Sequence, residues 1–319
     1  MTCAFLIAMI TLGIIQGGEI VPEPLAFGEP EKINIQGDYI GVSFSPDGKY
    51  LALTKPKYQG IYLLDMATRK ITTVTSEYGA GYRFSWNKTG SAIAFKASLQ
   101  TNYALYLYDL SSKKITVLRP ESNLIGQPVF NSKGNIIVNY GGECQIISPQ
   151  GKLLKSIPEV TSNVIVITPD DRYLVYTDMD DRLWAYEIES AKKIPLTDEG
   201  ERYFSPIASP TENRIVCNKL GGMITLVDVP SGRKIEIDTG DYFYFTPSGK
   251  TIFYTKTKDD GERIVEGELY YSSVTKPVPQ KLLLPRGIKL ASAYHPRRGL
   301  AYLNDAGDIF FAPIVKPER

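Results

Sequence analysis

A short turn flanked by alternating apolar strands recurs along this chain, and that recurrence limits its fold more than any other feature. The clearest copy is Phe44-Ser45-Pro46-Asp47-Gly48, followed by KYLALT. Further copies begin at Asn87, Asn131, Thr168, Ser209, Thr246 and His295, so successive turns lie 37 to 49 residues apart. Proline presets φ at about −65° in the first central position, Asp or Asn bonds back to the local backbone, and Gly takes positive φ without a Cβ clash. After the first turn, Tyr50, Ala52 and Thr54 face one way and Leu51 and Leu53 the other. Period two over a short run specifies a strand. A repeat of about forty residues built from short strands is a propeller blade.

A second landmark follows each turn strand. The segments IYLLDMATRKITTV, LYLYDLSSKKITVL, LWAYEIESAKKIPL and ITLVDVPSGRKIEI place Asp65, Asp109, Glu187 and Asp228 in one phase, just before a second turn. An acid there caps turn amides and pairs with Lys or Arg across the hairpin, which is a structural role. Both landmarks occur seven times. The expectation is an all-β, seven-bladed β-propeller of four-stranded antiparallel blades, with six or eight blades still open. The seventh repeat stops near Val315 without an outer strand, and residues 31–36 read as that strand. An N-terminal strand would then close the ring and remove its exposed sheet ends.

Ahead of the repeats, residues 3–15 read CAFLIAMITLGII. This uncharged stretch has the length of a signal-peptide core and falls short of a spanning helix. It lacks a preceding Lys or Arg and an A-x-A-type cleavage site. Residues 1–18 are expected to be a signal peptide or N-terminal anchor, 19–30 a linker and 31–319 the propeller. Export to the periplasm, cell envelope or exterior follows as an expectation. Lys and Arg number 36 against 35 for Asp and Glu, a net charge of +1, which disfavours nucleic-acid binding. Three cysteines make no disulfide framework, and Cys144 and Cys217 read as buried free thiols.

The FSPDGKYLAL segment at residues 44–53, with IYLLD at 61–65, resembles the TolB-like family of WD-type β-propeller repeats. The resemblance extends from about residue 31 to residue 315. It implies the architecture, and a binding scaffold of the periplasm or envelope, without naming partners. The chain departs from the bacterial translocation protein of that family by one additional repeat, and no N-terminal α/β domain is recognised.

Local catalytic motifs are missing from the sequence. There is no G-x-S-x-G elbow, no C-x-x-C, no H-E-x-x-H and no phosphate-cradling glycine loop. The single histidine, His295, reads as a surface turn residue. Asp178-Met-Asp180-Asp181 lacks the rest of a calcium loop and reads as a turn. The insertion from Thr257 to Glu268 reads as an extended, exposed loop, with Asp-Gly at 260–261 favouring a tight hairpin. No metal, cofactor or catalytic residue is assigned.

Aromatic and basic residues at the links between blades are the candidate ligand or partner rim: Tyr39, Tyr78, Tyr82, Arg83, Arg202, Tyr203, Tyr242 and Arg286. Such links gather on one face around a propeller channel, and Tyr and Arg are enriched at interaction hot spots. The alternative for the tyrosines is packing between blades. The favoured function is a non-catalytic protein- or peptide-binding scaffold of the cell envelope. The competing function is a propeller hydrolase or lyase acting on a sugar or small molecule, with acids in the channel.

Overall fold

Each repeated turn forms as its residues dictate. In the computed structural model, which describes residues 25–99, 102–285 and 287–315, the Gly48 amide donates to the Ser45 carbonyl at 2.8 Å. Gly90, Gly134 and Gly249 repeat the bond in their own turns, and Asp171 and Arg298 make it without glycine. The first turn residue supplies a side-chain acceptor. Ser45 Oγ accepts from the Tyr50 amide, Thr168 Oγ1 from the Tyr173 amide, and Asn87 Oδ1 from the Ser91 and Ala92 amides. Short polar side chains recur at that position because they satisfy the hairpin's loose amides.

Four antiparallel strands follow this plan seven times among the described residues, giving seven separate four-stranded sheets. Blade 1 runs Gly41–Phe44, Tyr50–Lys55, Gln59–Asp65 and Ile71–Thr75, from innermost to outermost. Blades 2 to 6 occupy residues 85–122, 129–157, 165–195, 203–239 and 241–281. Blade 7 takes Ser292–His295, Gly299–Leu303 and Ile309–Pro313 from the end of the chain and Glu31–Lys32 from its beginning. Glu31 lies opposite Phe311, and Lys32 opposite Phe310. The pairing extends further, with Ile33 N–H donating to the Ile309 carbonyl at 2.9 Å and Phe27 bridging Ile314. Lys32 meets Asp308 at 2.8 Å. The ring closes as the register of the repeats requires.

Alternation along the strands explains how the blades cohere. Leu51 and Leu53 pack with Ile33, Ala301, Ile309 and Phe311 of blade 7. Ala52 faces the other way, into a cluster with Ile93 and Phe95 of blade 2. Each further pair of neighbouring blades shares one such cluster, so the core consists of seven apolar layers between sheets. A fully buried leucine contributes about 1.5–3 kcal/mol to a layer. The outermost strands, such as Ile71–Thr75, are largely exposed.

The phased acids cap turns as expected. Asp65 Oδ1 accepts from the Ala67 and Thr68 amides at 2.9 and 2.8 Å, and Asp109 Oδ1 from the Ser112 amide at 2.8 Å. Their ion pairs run differently from the sequence reading. Glu187 pairs with Arg172, just ahead of the inner neighbouring strand, and Asp228 with Arg214 at the start of its own inner neighbour, rather than with a base after the turn. The 257–268 insertion also differs. It is not a loop but an extension of two strands, Thr251–Asp259 and Ile264–Ser273, capped by a turn at residues 260–263. Asp178 organises a turn, accepting from the Asp180 and Arg182 amides and from Trp184 Nε1.

His295 is a further correction, since it is buried rather than on the surface. It packs across the seam between blades 7 and 1, with Nε2 3.2 Å from the Pro46 carbonyl oxygen and its ring against Phe44. Nδ1 accepts from the Arg297 amide at 3.3 Å, replacing the hydroxyl or amide oxygen of the other turns. Comparable bonds tie other turns together: Ser132 to Asp171, Asn213 to Asp170, and Thr211 to the Ser248 carbonyl. The turn face of the ring is thus internally hydrogen-bonded. Cys144 and Cys217 are buried and free, in blades 3 and 5.

Candidate functional site

The opposite face carries the links between blades and the second hairpin connection of each blade. In blade 1 that connection is a tight turn, Pro56–Tyr58, in which Lys57 and Tyr58 both hold positive φ, at 60° and 54°. A non-glycine residue in this region costs about 1–2 kcal/mol, so the surroundings must enforce it. The Gly81 amide donates to the Tyr58 carbonyl at 3.0 Å, and the Tyr58 ring lies 4.7 Å from that of Tyr82.

Around this pair opens a recess of about 400 Å³ between blades 1 and 2, lined by Lys57, Tyr58, Tyr78, Tyr82, Lys96 and Tyr103 among others. Tyr58, Tyr78 and Tyr82 are 43%, 55% and 37% exposed, and Tyr242 is 56% exposed. Burial, and then the charges of the Tyr58 phenol and Asp241, raise the Tyr242 pKa. A second recess of about 670 Å³ lies between blades 4 and 5, lined by Asp178, Met179, Asp180, Arg182, Trp184, Glu199, Gly200 and Arg202. There Arg202 pairs with Asp181 at 2.6 Å, and Trp184 lies between Arg182 and Lys193, at 4.8 and 5.0 Å.

The rim residues picked from sequence therefore divide. Tyr78 and Tyr82 share the first recess, Arg202 lines the second, and Tyr242 stands exposed on the innermost strand of blade 6. Tyr39 and Tyr203 are buried and pack between blades. Tyr39 donates to the Gln36 carbonyl and meets Tyr62 edge to face, while Tyr203 joins the layer between blades 4 and 5. Arg83 is half-buried with φ of 51°. Arg286 lies outside the described residues.

Three blades share a distortion in, or just ahead of, the innermost strand. Arg83, Ser205 and Tyr242 each take positive φ, and each stands four positions before the first turn residue of its blade. In blades 5 and 6 the pairing slips there, between Phe204 and Ile207 and between Asp241 and Tyr244. Bulges of this kind re-aim side chains. On the next strand, nine positions after the first turn residue, the same blades carry Lys96, Asn218 and Thr255. Each side chain donates to a carbonyl of the following link: Ile125 at 2.8 Å, Gly240 at 3.4 Å and Leu290 at 2.6 Å.

No family model matches the chain. A stretch of 161 residues, 49% of the chain, is 27% identical to human WD repeat-containing protein 19 and covers 11% of that protein. The chain thus spans about a tenth of that relative's length. The β-propeller domain of Cps50 (Swd1) from Myceliophteria thermophila aligns with a TM-score of 0.61, covering 92% of this chain and all of that domain at 14% identity. The fold is that of the WD40 and TolB propellers. TolB from Acinetobacter baumannii aligns with a TM-score of 0.51, covering 81% of this chain and 57% of that one at 17% identity. At such identities the likeness extends to the fold alone.

Within this propeller, the sequence reading missed Tyr58, Lys96 and Trp184. Tyr58 sits in a hairpin connection rather than a link, and nothing local marks its backbone. Lys96 had a signal: it stands in a repeat column that holds a short neutral polar residue, Thr54, Asn218 or Thr255, in other blades.

Proposed function

We propose that this chain is a non-catalytic scaffold that holds a protein or peptide on the link face of its ring, at the cell envelope. The exposed Tyr58, Tyr78 and Tyr82 lining one recess, with Tyr242 exposed on the innermost strand of blade 6, carry the reading. Tyrosine offers large, stiff contact area with a polar tip, and it is over-represented among residues that dominate binding energy. The turn face opposite is engaged in its own hydrogen bonds, and WD40 propellers in general bind proteins. The apolar stretch at residues 3–15 supports the envelope location.

The test is cross-linking capture with the purified chain, comparing wild type with the Tyr82→Ala/Tyr242→Ala double variant and with Lys88→Ala on the turn face. A captured protein that is lost only in the double variant supports the reading. Retention in the double variant removes the link face from consideration. Turnover of sugar or ester substrates by the pure protein would replace the scaffold with an enzyme. Fractionation of cells expressing the full chain checks the location, and a purely cytosolic signal would overturn the envelope assignment.

A further inference from the structure

Lys96 is a cation in a place built for neutral groups. In blades 5 and 6 its column holds Asn218 and Thr255, and each donates to a single carbonyl of the following link. An ammonium brings three donors and a full charge. One donor goes to the Ile125 carbonyl oxygen at 2.8 Å. A second meets the Gln127 side-chain oxygen at 3.1 Å, in the amide orientation that also lets its nitrogen donate to the Tyr82 carbonyl at 3.0 Å. The Tyr103 ring lies 4.9 Å away. Among the described residues no carboxylate pairs with Lys96. Other blades show the contrast: in blade 5 Lys219 has Glu201 at 2.8 Å, in blade 6 Lys256 has Asp238 at 2.9 Å, and buried Lys289 in the following link has Glu268 at 3.0 Å.

Desolvation pushes the Lys96 pKa down. A partly dehydrated charge that meets only neutral oxygens is incompletely compensated, and an incoming anion relieves it. The walls restrict which anion fits. Tyr58, Tyr78, Tyr82 and Tyr103 give the recess aromatic sides, and Lys57 adds a second cation to its lining.

Building on the proposed binding face, we infer that the recess between blades 1 and 2 takes a carboxylate of a partner peptide, received by Lys96 and flanked by the tyrosines. The carboxylate is that of an Asp or Glu side chain or of a peptide C-terminus, and the two sources bring the same charge and the same acceptor atoms.

The experiment selects peptides by display on the intact wild-type chain. The enriched sequences are then synthesised as matched sets, with Glu or Gln, Asp or Asn, and a free or amidated C-terminus. Affinities are measured for wild type, Lys96→Met and Tyr82→Ala. The expected result is a loss of about tenfold or more when the acid is neutralised, since a bond to a charged group is at stake. Lys96→Met removes that discrimination. The member of the set that matters tells a side-chain carboxylate from a terminal one. Equal binding of acid and amide forms to wild type overturns the inference, as does discrimination that persists in Lys96→Met. If peptides bind without acid preference and Tyr82→Ala abolishes binding, the carboxylate falls while the binding face stands. If no peptide is enriched, or Tyr82→Ala binds as wild type does, the binding face itself falls. Should Lys96→Met fail to fold, the Lys96 amine of the wild-type chain is followed by NMR after reductive ¹³C-methylation. Its pKa must rise with the acidic peptide and stay put with the neutral twin; no rise refutes the assignment.

Discussion

Replacing Gly48 by alanine tests the seam between blades 7 and 1, with an internal control. Gly48 and Gly134 occupy the same turn position in blades 1 and 3, with φ of 71° and 80°. A Cβ on Gly134 meets nothing within 4 Å. A Cβ on Gly48 lies 2.6 Å from His295 Cε1 and 2.8 Å from Nδ1. Both variants carry the left-handed cost of about 1–2 kcal/mol, partly offset by a stiffer unfolded chain, for a net of about 1 kcal/mol. Gly48→Ala must also displace the His295 ring, disrupting its contacts with the Pro46 carbonyl and the Arg297 amide. At about 1 kcal/mol each, these bring its total to about 3 kcal/mol. Urea unfolding followed by tryptophan fluorescence reads the difference, provided the transition slopes stay equal. The expected order of midpoints is wild type, Gly134→Ala, then Gly48→Ala well below. Adding His295→Ser to Gly48→Ala removes the clash and narrows the gap. Equal midpoints for the two single variants would refute the steric account of the seam.

Other expectations follow from the same contacts. The His295 pKa is lowered, first by desolvation and then by Arg297 and Arg298, against the opposing pull of the Pro46 carbonyl and Asp47. With the folded value below the unfolded one of about 6.5, its contribution is full above that pH and lost as pH falls. Urea midpoints of wild type must therefore decline on acidification from about pH 7 to 5, and His295→Asn must flatten that decline. Glu201 is desolvated, yet Lys219 and Lys234 hold it at about 2. Its contribution is present above about pH 4.3 and disappears as pH falls toward 2, so Glu201→Gln is less stable than wild type at neutral pH and loses less on acidification. Burial pushes the Cys144 thiol up to about 12 and raises Cys217 as well. In a Cys3→Ser background, a thiol reagent at pH 8 should label neither until denaturant unfolds the ring, and rapid native labelling would contradict their burial.

What the sequence disclosed was local chemistry. Ser45, Asp47 and Gly48 bond to backbone groups within five residues of themselves, so their spacing is readable wherever they recur. The strand at residues 31–36 was legible because the last repeat lacked its partner, and Glu31–Lys32 occupies that place. Side-chain exposure at the links was not legible. Tyr39 and Tyr82 are both tyrosines near a blade junction, yet one is sealed beneath its loop and the other opens onto a recess. That difference depends on how two sheets dock, which no run of residues encodes by itself. His295 is hidden for the same reason, since Pro46 and Gly48, which cover it, lie far away in the sequence. The positive φ of Arg83, Ser205 and Tyr242 carries no compositional mark at all.

Joining both chain ends in one sheet has a consequence for biosynthesis. Glu31 and Lys32 leave the ribosome early, but their hydrogen-bonding partners Phe310 and Phe311 are translated only after the other six sheets. Until then, one flank of the first sheet, with Leu51 and Leu53, is bare to water. The nascent molecule must keep this greasy surface from sticking to its neighbours for most of its synthesis. Any binding protein that shelters the early strands would act here, and its release would have to wait for the final turn of the ring.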